Sequence, residues 1–186
     1  MEFDLKLDAA LEKRADSAQQ ERKRPRLLCI DDEPGNLNVL VSIFEADYDV
    51  MTATDGEAGL TLINEHDFSV IISDQRMPKM LGTQVLARAK EIQPHAVRII
   101  LTAYSDVGDI IESINSGGVY RYILKPWDRD DMRMTVRNAV EMSGLQRENK
   151  QLILDLQARN RELKKSKLTA ETANAAKSQF LANVSH

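Results

Sequence analysis

Between Arg26 and about Asp130 the chain alternates short apolar, β-branched runs with longer amphipathic ones. RLLCI, YDVMTA, FSVIIS, VRIILT and GVYRYIL have the strand character, and NLNVLVSIFEA, EAGLTLINEH, GTQVLARAKEI and DVGDIIESINS the helical one, followed by a helical stretch from about Asp130. Five strands alternating with five helices predict a doubly wound α/β fold, a parallel sheet covered by helices on both faces, because each crossover must return the chain to the same end of the sheet. VIIS and RIIL are nearly all apolar, as strands buried on both faces should be. Pro34-Gly35, Asp55-Gly56, Pro78, Pro94, Gly117-Gly118 and Pro126 fall between the predicted elements, where chain-breaking residues belong.

The pattern differs at both ends. Residues 1–24 are charged, with Phe3, Leu7 and Leu11 at helical spacing, and read as a solvated helix or tail ending at Pro25; the RKRPR run at 22–26 reads as a solvated linker. A domain is expected over 25–141, a linker helix over 142–168 and a further helix over 169–186. After Gly144 there is neither glycine nor proline. A heptad frame can be drawn with Met142, Asn149, Leu156, Leu163, Ala170, Lys177 and Val184 at a, and Leu145, Leu152, Arg159, Ser166, Ala173 and Phe180 at d. Asn149 at a is a polar residue of the kind that fixes register in a parallel two-stranded coil, and Glu162 at g can pair with Lys167 at e of the partner. From Met142 onward such a helix would run about 65 Å at 1.5 Å per residue. No face of so small a domain is that long, so a homodimer is expected.

Composition narrows the classes. A net charge of −4 leaves no basic excess for nucleic acid, and none is expected as a partner. The single cysteine, Cys29, lies in an apolar run, which fits a core thiol in a reducing compartment. No apolar stretch approaches the roughly 20 residues of a membrane span, and the N-terminus lacks a signal pattern, so a cytoplasmic chain without a membrane segment is expected.

Four of the predicted strands end in chemistry: Asp31-Asp32 after RLLCI, Asp74 after VIIS, Thr102 after RIIL and Lys125 after YRYIL. Singly, each has a bland explanation, since an Asp-Asp pair ahead of a helix can be a cap and Lys-Pro an ordinary turn. Jointly they form a site, because ligands of open parallel sheets gather beyond the carboxyl ends of the strands. With strand order 2-1-3-4-5, Asp31, Asp32 and Asp74 become neighbours. Three carboxylates so placed resist ionising together unless a cation sits among them, and oxygen-only ligands favour Mg2+. Asp74 is then a nucleophile toward a phosphoryl group, with Thr102 bonding a phosphoryl oxygen and Lys125 meeting the developing charge.

LLCIDDEP, SDQRMP, ILTAYSD and YRYILKPW, in that order and spacing, resemble the receiver domain of two-component response regulators over residues 26–141. The resemblance implies a flavodoxin-like (βα)5 fold, phosphorylation on Asp74, Asp32 as a direct Mg2+ ligand, Asp31 acting through a water, and the Arg76 backbone carbonyl as third protein ligand. It also implies a cis Lys125-Pro126 peptide and a coupled switch of Thr102 and Tyr122. Arg76 and Tyr104 flank the pocket and are bulky here, which predicts slow loss of the phosphoryl group. The final AKSQFLANVSH resembles the opening of a histidine kinase dimerisation domain, making His186 a possible second phosphoacceptor at a c position of the heptads. A helix unbroken from about Asp130 to His186 would span roughly 85 Å, so transfer between His186 and Asp74 of one chain is not expected. The implied role is a receiver that takes phosphate from an upstream histidine kinase or phosphotransfer protein and controls a dimeric helix leading into a kinase. The alternative is a freestanding regulator or adaptor dimer whose coil binds a partner protein.

Overall fold

The computed structural model describes residues 24–103 and 118–184, with the side chains of Ala176, Phe180 and residues 181–184 left out. Among them the elements run β1 (Arg26–Ile30), α1 (Pro34–Phe44), β2 (Asp49–Ala53), α2 (Gly56–Glu65), β3 (Val70–Asp74), α3 (Gly82–Ile92), β4 (Val97–Thr102), β5 (Arg121–Leu124) and α4 (Arg129–Val184). The predicted N-terminal helix and the predicted helix within DVGDIIESINS lie outside the described residues, as do Tyr104 and His186.

The sheet has five parallel strands, as the alternation predicts, in the expected order β2-β1-β3-β4-β5. Side chains alternate between faces along each strand. Leu27, Cys29, Val70, Ile72, Ile99 and Leu101 feed one core with α1 and the first turns of α4, whereas Leu28, Ile30, Ile71 and Ile100 feed a second core with α2 and α3. β3 and β4 are buried throughout, which is why VIIS and RIIL carry almost no polar residue. Burial pushes the Cys29 thiol up to about 12, with Asp31 adding to the effect, so the cysteine is an inert core residue at neutral pH.

α4 opens on a cap: the Asp128 side chain accepts from the backbone N–H groups of Asp130 and Asp131, satisfying donors that the first turn leaves free. Met132, Val136 and Ala139, at helical spacing, are buried in the first core. The chain separates into two compact units, one through Ser143 and one from Gly144. In the second unit Leu145, Leu152, Leu156 and Leu163, all assigned to the heptad seam, are exposed by 53–67%. No helix among the described residues is long and apolar enough to cross a membrane.

Candidate functional site

Sheet register assembles the site. Ile30 pairs with Ser73, so Asp31, the next residue, leaves β1 beside Asp74 at the end of β3. Asp74 pairs with Leu101, and Thr102 with Leu124, so the hydroxyl and the lysine leave neighbouring strands at the same edge. Backbone bonds extend the ladder by one step: Gln75 N–H to Leu101 O at 2.9 Å and Lys125 N–H to Thr102 O at 2.8 Å. Helix α3 starts directly against this edge. A Cβ on Gly82 would stand 2.0 Å from the carbonyl oxygen of Asp74, so only glycine permits the approach.

Asp31 and Asp74 are both buried and both bind the Lys125 ammonium, Asp31 Oδ2 at 3.1 Å and Asp74 through Oδ1. Burial raises the Asp74 pKa above the ordinary carboxylate value, and the Lys125 ammonium only partly offsets this. Burial alone would lower the Lys125 pKa, but its bonds to Asp74 and Asp31 outweigh burial and raise it. Asp74 Oδ2 also accepts the Arg76 N–H at 2.9 Å, folding the start of the following loop over the carboxylate. The expected peptide between Lys125 and Pro126 is cis.

Not every expected contact is present. Among the described residues no three acidic, histidine or cysteine side chains converge closely enough to hold a metal ion, and Asp32 is exposed. The compensation that the sequence reading assigned to a cation is supplied here by Lys125, which lies between the other two carboxylates. The donors still fit a hard cation, being oxygens only, two of them already convergent on one positive group. Thr102 is buried with its hydroxyl donating to the Ala103 carbonyl at 3.2 Å. Tyr122 is 37% exposed and lines a groove of about 510 Å³ with Arg121, Pro126, Trp127, Asp131 and Thr135.

Two residues escaped the sequence reading. Asn36 donates through Nδ2 to both oxygens of Asp31, at 3.1 and 3.0 Å. Gln75 is buried beside Asp74 and accepts the Thr83 N–H through Oε1 at 3.2 Å, tying the loop back to α3. A short amide near a helix start following Asp-Asp is a signal that could have pointed to Asn36. Gln75 carried none, because its burial depends on how the loop returns.

Residues 27–137 match the response regulator receiver domain family. The chain is 38% identical over 134 residues to the hydrogenase transcriptional regulatory protein HoxA of Cupriavidus necator, covering 72% of this chain and 28% of that protein. It is 35% identical over 123 residues to the transcriptional regulatory protein GlrR of Escherichia coli, covering 66% of this chain and 28% of that one. Among solved structures, a response regulator receiver domain protein from Clostridium thermocellum superposes with a TM-score of 0.61 at 32% identity, over 65% of this chain and 98% of that one. An adenylate cyclase structure from Rhodopirellula baltica gives 0.68 at 33% identity, over 70% and 97%. The chain belongs to the response regulator receiver domain family. It spans somewhat over a quarter of the length of the curated relatives it matches, and the transcriptional role in their names is a statement about those longer proteins.

Proposed function

We propose that this chain is a phosphorylation-controlled input module in which Asp74 accepts a phosphoryl group and the helix beyond Gly144 joins two copies. The observation that carries the reading is the pair of buried carboxylates, Asp31 and Asp74, sharing one ammonium at the strand ends. A site built only to stabilise the fold gains little from such a buried ionic group; one built to receive a phosphoryl group needs it.

An Asp74 oxygen attacks phosphorus as the bond from phosphorus to the donor's leaving group breaks, giving an aspartyl phosphate. Lys125, already on Asp74, follows the charge onto the phosphoryl oxygens. The Thr102 hydroxyl exchanges the Ala103 carbonyl for a phosphoryl oxygen, and Tyr122 on β5 changes position with it. Asp32, Asp74 and the Arg76 carbonyl would hold Mg2+ directly and Asp31 through a water, and the ion would supply positive charge to offset that of the anionic donor. Positioning and electrostatics supply nearly all of such catalysis. The Arg76 side chain shields the product from water; Arg76→Ala should shorten the lifetime of the phosphorylated protein several-fold, and an unchanged lifetime would remove this role.

The exposed leucines from Leu145 to Leu163 support a parallel homodimer, and the FLANVSH sequence supports its continuation into a histidine kinase, with His186 a second phosphoacceptor. An upstream kinase or phosphotransfer protein phosphorylates Asp74, and the helix transmits the change. The reading frame beyond His186 tests the kinase part: an ATP-binding region supports it, and a stop codon favours an adaptor dimer that binds a partner through the coil.

A further inference from the structure

Asp31 is fully buried, and each of its oxygens meets two donors. Oδ1 accepts from the Glu33 N–H at 2.9 Å and from Asn36 Nδ2 at 3.1 Å; Oδ2 accepts from Asn36 Nδ2 at 3.0 Å and from Lys125 Nζ at 3.1 Å. Of these donors, Lys125 is shared with Asp74 and must follow the phosphoryl group once one is bound. Among the described residues, Glu33 N–H and Asn36 then remain to fix the plane of the Asp31 carboxylate.

Asn36 is well placed for this. Pro34 begins α1, where its fixed φ suits the first turn. The Glu33 carbonyl closes that turn by accepting the N–H groups of Asn36 at 3.0 Å and Leu37 at 3.3 Å. The amide therefore projects from a rigid start of helix. The buried face of α1 is made by Leu37, Leu40, Ile43 and Phe44, so packing does not require an amide at 36. Asn36 also borders, with Lys125, Pro126 and Trp127, a recess of about 430 Å³.

We infer that Asn36 is a positioning residue that holds the Asp31 carboxylate ready for a divalent cation. It sets cation affinity without touching the phosphoryl group. The inference rests on the cation reading of this site, and the experiment separates the two. Phosphate-free protein is titrated with Mg2+ alone in a calorimeter, using wild type, Asn36→Ala, Asn36→Gln, Asp32→Asn and, as a control from the exposed side of α1, Asn38→Ala. Loss of an outer-shell partner that orients a carboxylate of a cation site weakens binding by about tenfold, the lower end of the usual range, and that loss is expected for Asn36→Ala, whose amide orients Asp31. Asn36→Gln, which keeps an amide donor, recovers part of the affinity, and Asn38→Ala binds as wild type. The phosphorylation rate of Asn36→Ala with a small phosphodonor returns to the wild-type rate at saturating Mg2+, which a general loss of fold would not allow. Asn36→Ala and Asn36→Gln both binding Mg2+ like wild type would overturn the inference while leaving the cation site standing. Wild type that shows no Mg2+ binding, or Asp32→Asn that binds undiminished, would overturn the cation reading and the inference with it.

Discussion

At the ends of β1 and β3 two buried carboxylates have found their partners within the chain, whereas beyond Gly144 every leucine from Leu145 to Leu168 lies in solvent. The first region is polar and closed: Asp31, Asp74, Lys125 and Asn36 satisfy one another. The second is open, with its seam leucines exposed by half or more. Charged groups bury only when paired, and apolar side chains gain about 1.5–3 kcal/mol each on leaving water. The contrast separates a region whose groups are satisfied within the chain from one whose apolar groups are not. On the proposed function, the strand ends take up a phosphoryl group and its cation, and the helix takes up a second copy of the chain.

The largest effect is expected on the helix. Replacing both Leu152 and Leu156 with Lys removes four leucines from a dimer seam and adds four charges, so the dissociation constant should rise by at least about a hundredfold. Analytical ultracentrifugation reads it; a wild-type chain that is monomeric at high concentration would break the comparison from the other side.

Next comes the ammonium. Lys125→Met leaves Asp31 and Asp74 buried together without a positive neighbour and should cost about 2–4 kcal/mol of stability in denaturant unfolding, part of it restored by Mg2+. No restoration would mean that the carboxylates do not share a cation. Gly82→Ala drives a methyl group against the Asp74 carbonyl and should cost about 2 kcal/mol. Phosphorylation should fall further than stability does, because the attacking residue itself is displaced.

The smallest effect concerns the Asp74 charge. Its folded-state pKa is raised by burial, so the folded protein binds this proton more readily than the unfolded chain, and stability from this group is gained as pH falls through the raised value and is absent above it. In the absence of Mg2+, Asp74→Asn should therefore melt slightly above wild type at neutral pH, with the gap narrowing on acidification. A gap that widens would reverse the sign assigned to Asp74.

Most of the fold was legible because parallel strands buried on both faces leave an unmistakable run of apolar residues, as in VIIS and RIIL, and because Asp31, Asp74, Thr102 and Lys125 each end such a run. Sheet register then brings them together without further information. What could not be read depends on side-chain direction. Asp32 follows Asp31 in the chain yet stands in solvent, and Lys125 bonds both Asp31 and Asp74, because an ammonium on a long stem can reach between two carboxylates and sequence spacing does not encode that reach. Asn36 was hidden in an amphipathic helix pattern that accounts for its hydrophobic neighbours alone.

The central claim is tested most directly by incubating the chain with a small phosphodonor and Mg2+ and measuring the intact mass. Wild type should gain one phosphoryl group that hydroxylamine removes, as it does from an acyl phosphate, and Asp74→Asn should gain none. A phosphoryl group that persists in Asp74→Asn, or a wild type that never acquires one, would contradict the account.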